Sequence, residues 1–141
     1  MAYRSISILF IALLLLSAYA PPETPLASLP AGTPAGVKTA VTNLFSQDPD
    51  ILAEALITLQ EAGPKALNAV PYLADILDDT TTLTVQGLQS VSQEAAAAIA
   101  AVGPAAEKSI IALLSSPKPL VRGQAASILG RWRSATAIDR L

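Results

Sequence analysis

The chain of 141 residues has no cysteine and no histidine, and only 4 % of its residues are aromatic and 14 % charged. Without cysteine there is no disulfide framework, no thiolate nucleophile, no thiolate metal site and no lipidated N-terminal cysteine. Without imidazole the commonest general base and the commonest transition-metal ligand are missing, and only carboxylates, Lys and hydroxyls remain for catalysis. The sequence therefore reads as non-enzymatic, with no cofactor and no metal site. A formal charge of −2 provides no cationic field to gather nucleic acid, which is not expected as a partner.

What is abundant is small and aliphatic. Hydrophobic residues make up 52 % of the chain. With so few aromatics, Ala, Leu, Ile and Val supply that fraction, a mix that suits close-packed helices better than strands. The length allows one domain, and the composition predicts an all-α one.

The chain opens with Met1-Ala-Tyr-Arg4, then the apolar run Ile6–Leu16, then Ser17-Ala18-Tyr19-Ala20. One positive charge, a short apolar stretch and small residues at Ala18 and Ala20 match a secretory signal, and the run is shorter than the roughly 20 residues of a helical span. Residues 1–20 are thus expected to export the protein to a periplasmic or extracellular compartment. Pro21 and Pro22 follow the Ala18-x-Ala20 site directly and hinder a peptidase that needs an extended, hydrogen-bonded substrate, so a retained membrane anchor stands as the alternative. The proline-dense stretch 21–33 has no apolar periodicity and is expected to be an extended, solvated tether. A helix is expected from Pro34 or Ala35 to Phe45, capped by Thr33, with Val37, Val41, Leu44 and Phe45 in one stripe.

The remaining chain repeats itself. Leu59-Gln60-Glu61-Ala62-Gly63-Pro64 returns forty residues later as Ile99-Ala100-Ala101-Val102-Gly103-Pro104, and its first half returns again as Leu129-Gly130-Arg131-Trp132. Aligned on that stretch, Ile51, Ala55, Leu59 and Ala62 match Val91, Ala95, Ile99 and Val102, and then Val121, Ala125, Leu129 and Trp132. Every matched position is apolar, and the spacing of four, four and three keeps each set on one helical face with a small Ala where helices approach. Asp48 and Pro49 form a helix start. Gly63 and Gly103 fall where a helix end demands a left-handed residue, and Pro64 and Pro104 where the next helix accepts proline. Leu67, Val70, Leu73, Ala74 and Leu77 line one second helix, and Ile110, Ile111, Leu113 and Leu114 contribute to the other. Pro71 must either bend its helix or delay its start.

The third unit, Pro119-Leu-Val121-Arg122-Gly-Gln-Ala125-Ala126-Ser-Ile-Leu129-Gly130, with its continuation Arg131 to Ile138, resembles the HEAT-repeat family, in particular the short HEAT-like units of phycobilisome lyases. Unit one keeps Pro49 and Leu59 but has Leu52 in place of the arginine. Unit two keeps Gly103-Pro104 and lacks the proline and arginine at its start. The resemblance covers residues 46–141 and implies an α-solenoid of about three HEAT-like helical hairpins (about 46–78, 86–116 and a shortened 117–141) preceded by a capping helix, together forming a repeat domain over 34–141. It says little of function, because the shared residues of such repeats maintain packing. A lyase-like accessory protein, or a small structural subunit or fragment of a larger repeat protein, are the alternatives to a plain interaction module.

Two departures from the repeat remain. The stretch from Asp78 to Leu88 holds about ten extra residues, expected as a long surface loop, and Asp75, Asp78, Asp79 and the threonines of the stretch lack the fixed spacing of a calcium motif. At the other end the last hairpin is short, leaving Val121, Ile128, Trp132 and Ile138 incompletely covered. From residue 118 onward Lys118, Arg122, Arg131, Arg133 and Arg140 face the single acid Asp139, whereas residues 21–117 carry ten acids against three lysines. Arg122, Arg131, Trp132, Arg133 and Ile138 are accordingly the candidate partner-binding residues. The expected partner is another protein, or a second copy through this C-terminal edge, with membrane contact only through the N-terminal segment.

If residues 1–20 are a cleaved signal, N-terminal sequencing of the native protein outside the cytoplasm will read from Pro21. An intact N-terminus in the membrane fraction will identify an anchor. An intact Met1 in the soluble cytoplasm will remove both.

Overall fold

A computed structural model describes residues 24–84, 87 and 89–138, leaving out the side chains of Ala27 and Ile138. The signal or anchor expected over 1–20 and the basic Arg140 lie outside these residues. Among the described residues the chain is mostly helical and has no β-strand, only an isolated antiparallel bridge between Thr82 and Ser90. No single helix among them is long and apolar enough to cross a membrane.

Helix α1 (Ala35–Asn43) buries Val37, Ala40 and Val41 in the core that it shares with the next helix. Its start differs from the expectation. Pro34 is the cap residue and makes no side-chain bond, while Thr33 turns inward, only 4 % exposed, to accept a 2.9 Å hydrogen bond from Asn68 Nδ2. The helix also ends two residues before Phe45. Helix α2 (Pro49–Ala62) begins as its sequence predicts, with Pro49 in the first position and Asp48 Oδ1 accepting from the amides of Asp50 and Ile51 at 2.9 and 3.4 Å. That carboxylate serves amides which have no partner inside the helix and sits at the positive end of its dipole.

In the first two units the first helix then gives way to a second through one glycine. Gly63 has φ 53° and Gly103 φ 92°, conformations that Cβ-bearing residues adopt at a cost. At Gly103 the chain bends by 103° between α4 (Val91–Val102) and the next helical stretch. After Gly63 the chain runs as a 3₁₀ helix to Ala69 and continues as α3 (Val70–Asp75), so Pro71 sits in the first turn of the true α-helix. The ambiguity over Pro71 is resolved as a late start, where its missing N–H is harmless. After Gly103 a single 3₁₀ turn, Pro104–Ala106, leads into α5 (Glu107–Leu113). The last unit comprises α6 (Pro119–Arg131) and α7 (Ala135–Ile138).

The first helices pack in chain order, α1 on α2, α2 on α4 and α4 on α6, while the 63–69 segment meets the turn 104–106 in a second row. Ala55, Ala95 and Ala125, the matched small residues of the three units, are 2 %, 0 % and 0 % exposed. Polar bonds tie the same rows. Gln60 Nε2 donates to Glu94 Oε2 at 2.8 Å, and Gln124 Nε2 donates to Ser92 Oγ at 3.0 Å, which in turn donates to the Leu77 carbonyl at 2.6 Å. No buried side-chain nitrogen or oxygen among the described residues lacks a partner.

Three expectations are corrected. Ile51 is 40 % exposed and Leu67 39 %; Leu52 and Ala53 take the buried places in the first turn of α2, and Ala66 and Ala69 those of the 3₁₀ stretch, where small residues suit the tighter coil. The extra stretch after Asp78 is more than a surface excursion. Leu83 is 2 % exposed and joins the core, and its amide donates to Gln89 O, Val91 N to Thr81 O and Ser92 N to Asp79 O, closing the base of the loop onto α4. Lastly, residues 24–33 are no free tether, because Thr24, Pro25, Ser28 and Thr33 are hydrogen-bonded to the second helix of unit one.

Gly103→Val is expected to destabilise the protein by roughly 1–2 kcal/mol, because any Cβ is strained at its φ. Gly123→Ala, in an exposed interior position of α6 with open space around the added methyl, is expected to stabilise it by about 0.5–1 kcal/mol. Gly87, in the loop after Asp78, has a positive φ of 76° as well, so a side chain is strained there too. Chemical denaturation of the two variants reads both signs.

Candidate functional site

The C-terminal edge is built on the end of α6. Trp132 N donates to Ile128 O, Arg133 N to Gly130 O and Ser134 N to Leu129 O, so the last carbonyls of the helix are closed by a paired 6→1 and 5→2 pattern. Such a closure needs a residue with positive φ, and Arg133 supplies it at 52°, the one non-glycine residue among those described to do so. In the register of the repeat this is the position of Gly63 and Gly103. A residue with a Cβ held there costs about 1 kcal/mol, and backbone strain kept at a surface position points to a role for the side chain.

The ring of Trp132 is half-buried and packs against the core, and its Nε1 donates to the Ala100 carbonyl at 3.0 Å. Ala100 lies in the last turn of α4, so the indole closes a carbonyl that has no partner within its own helix. Arg131 and Arg133, the neighbours of Trp132 in the chain, are exposed. Helix α7 folds back beyond it. The Ser134 hydroxyl donates to Glu107 Oε1 and accepts from Ala137 N, and Ala137 is 1 % exposed.

This geometry separates the candidate residues. Arg131, Trp132 and Arg133 form one surface. Arg122 does not join them, because its Nη1 donates to the carbonyls of Ser116 and Pro117 at 2.8 and 3.2 Å and fastens the turn before α6. Val121 and Ile128, expected at the open edge, are 4 % and 1 % exposed, on a helix that packs against α4 and α5 of the same chain. Ile138 closes α7, and its side chain lies outside the described residues. The basic bias is partly spent internally, with Lys118 Nζ 2.9 Å from Asp78 Oδ2. The acidic residues at the end of α3 and in the insertion are also engaged separately. Asp75 Oδ2 accepts from Thr24 N, and Asp79 Oδ1 from Thr81 N. No group of three or more acids among the described residues could hold a metal ion.

A second surface has no counterpart among the sequence expectations. Asn68, Tyr72 and Asp75, at spacings of four and three, line one side of the second helix of unit one, and residues 24–33 lie across them. Tyr72 Oη, on a residue only 1 % exposed, is 2.9 Å from the Pro25 carbonyl and 2.8 Å from Ser28 Oγ, which is itself 2.7 Å from the same carbonyl. Two hydroxyl protons thus serve three close contacts. With Thr24 N to Asp75 Oδ2 at 2.8 Å and Asn68 Nδ2 to Thr33 Oγ1 at 2.9 Å, the segment is anchored at both ends. A cavity of about 400 Å³ adjoins it, running from Ser28 and Pro30 past Leu67 and Pro71 to Ala105 and Ser109. The signal in the sequence was the polar row at helical spacing among apolar neighbours.

Family models, curated proteins and solved structures contain no match to this chain.

Arg133→Gly is expected to raise stability by about 1 kcal/mol by relieving the positive-φ strain. Trp132→Ala is expected to lower it by about 2–3 kcal/mol, less than the roughly 3–5 kcal/mol of a fully enclosed ring. Thermal and urea unfolding of the two variants measure both.

Proposed function

We propose that the protein is a non-enzymatic interaction module, a short α-solenoid of HEAT-like hairpins, working in an exported compartment or held at a membrane by its N-terminal segment. The observation that carries this reading is the ordered packing of α1, α2, α4 and α6 with a buried alanine at the same register in three units. Helices joined in that way build a continuous outer surface rather than an enclosed site, and such surfaces serve binding. The chemistry of the chain agrees, since it holds neither imidazole nor thiol. Export rests on the three-part pattern of residues 1–20.

The partner surface we favour is the edge of Arg131, Trp132 and Arg133. A half-buried indole between two cationic side chains offers a large apolar contact with charged rims, the composition enriched where protein partners bind most tightly. The counter-surface is expected to be acidic. Arg133 in a position where glycine is otherwise used supports the same choice, because stability alone favours glycine there.

The test is chemical crosslinking and affinity capture from the native source with the wild-type chain, Arg133→Gly and Arg131→Gln/Arg133→Gly. A protein captured by the wild type and progressively lost in the variants, while their thermal midpoints stay equal or rise, is the expected result. Undiminished capture by the double variant will exclude this edge.

A further inference from the structure

We infer that the row of Asn68, Tyr72 and Asp75 is a receptor for an uncharged, proline-rich peptide, and that residues 24–33 occupy it in cis. The inference rests on the reading of the chain as a binding module and names a second surface and the chemistry of its partner.

Every member of the row bonds the segment through its side chain. Tyr72 bonds Pro25 and Ser28, Asp75 bonds Thr24 and Asn68 bonds Thr33. Without the segment Tyr72 would keep a large ring on the surface with its hydroxyl unpaired by protein. Two of the contacted groups are main-chain, the Thr24 amide and the Pro25 carbonyl, and two are hydroxyls, of Ser28 and Thr33, so the row reads backbone together with small polar side chains. The conformation is set by the occupant's own composition. Pro25 and Leu29 are extended, with φ −62° and ψ 128° and φ −63° and ψ 124°, on either side of the 3₁₀ turn Leu26–Ser28, and two backbone bonds fold the segment on itself, Ser28 N to Pro25 O at 2.9 Å and Thr33 N to Pro30 O at 3.0 Å. Proline fixes φ at Pro25 and Pro30 and so reduces the entropy that such a peptide loses on docking.

Apart from the polar row, the occupant is held by Lys38 Nζ, which donates to the Ala31 carbonyl at 2.9 Å, and by Leu29, which packs against the core. Pro25, Leu26, Ser28 and Pro30 are exposed, Leu29 is half-buried and only Thr33 is buried. The face also continues past the segment into the 400 Å³ cavity towards Ala105 and Ser109 of unit two, lined by no charged side chain. A longer uncharged peptide can therefore use ground that the cis segment leaves open. Tethering gives the cis segment an effective concentration of the order of millimolar, so it excludes a weaker free peptide until it is released.

The experiment uses the full chain and an acetylated, amidated, fluorescently labelled peptide of residues 24–33. Thr24→Pro removes the amide that Asp75 accepts and Ser28→Ala removes one hydroxyl, both on the occupant and not the receptor. Hydrogen exchange over residues 26–33 is expected to rise in the double variant, and the labelled peptide is expected to bind it at least tenfold more tightly than it binds the wild type. Adding Tyr72→Phe is expected to abolish that gain. Unchanged exchange overturns the inference, because the polar row would then not be what holds the segment. Released exchange without peptide binding overturns it by showing that the face holds the segment only as a fixed part of the fold. Equal binding to wild type, double variant and the Tyr72→Phe triple variant overturns it as non-specific adhesion. None of these failures touches capture through Arg131, Trp132 and Arg133, which tests the broader reading separately.

Discussion

The structure depends on a backbone reversal that has to be made three times. Each first helix ends at a residue with positive φ, Gly63 at 53°, Gly103 at 92° and Arg133 at 52°, and from that residue the chain leaves the first row and starts a second. Glycine satisfies the constraint without strain, and proline in the next position of the first two units starts the new helix where its missing amide is of no consequence. A Cβ added at Gly63 would lie 3.5 Å from Ala101 O, in ordinary contact with the neighbouring unit, so the positive φ and not crowding is what favours glycine there. A different hinge angle would move Ala106 and Ile110, or Ala66 and Ala69, out of the core they share with the first helices.

Given those reversals, small residues determine the spacing of the rows. Ala55, Ala95 and Ala125 are enclosed where α2, α4 and α6 pass each other, and larger Leu59, Ile99 and Leu129 fill the space a turn away. With 4 % aromatics the core has little else to fill its gaps, which is why two large side chains at its boundary matter. Tyr72 and Trp132 each bury most of a ring and use their one polar atom to satisfy backbone carbonyls, of Pro25 and of Ala100. They sit at opposite ends of the array and close it there, one under the N-terminal segment and the other against the end of α4. Both are adjacent to the surfaces proposed to bind partners.

The two surfaces differ in how they are made. The C-terminal edge is a local feature: one turn of chain carries its aromatic ring and both its guanidinium groups, held rigid by the closure of α6 and by Ser134 on Glu107. The N-terminal surface is assembled from residues more than forty positions apart, Thr24 with Asp75 and Pro25 with Tyr72. A local surface is fixed as soon as its helix forms, whereas a distant one depends on the segment returning to the body of the fold, and that makes the second the natural place for exchange with another peptide.

What the sequence determined by itself was everything periodic or local. Helix spacing, the repeat register, Asp48 and Pro49 at the start of α2, and the positive-φ glycines before Pro64 and Pro104 follow from side-chain period and backbone sterics, which act over a few residues. The aromatic and basic residues of the C-terminal edge were legible for the same reason, although the strain at Arg133 becomes visible only when it is set in register with Gly63 and Gly103. Tertiary structure alone decided where the non-periodic segments go. Nothing local distinguishes a proline-rich tether from a proline-rich segment docked on Tyr72, or an exposed Leu67 from a buried Leu83, because the difference lies in partners far along the chain. Arg122 illustrates the same limit: its composition suggests a partner-facing cation, and its position beside the carbonyls of Ser116 and Pro117 turns it into a fastening of the chain's own turn.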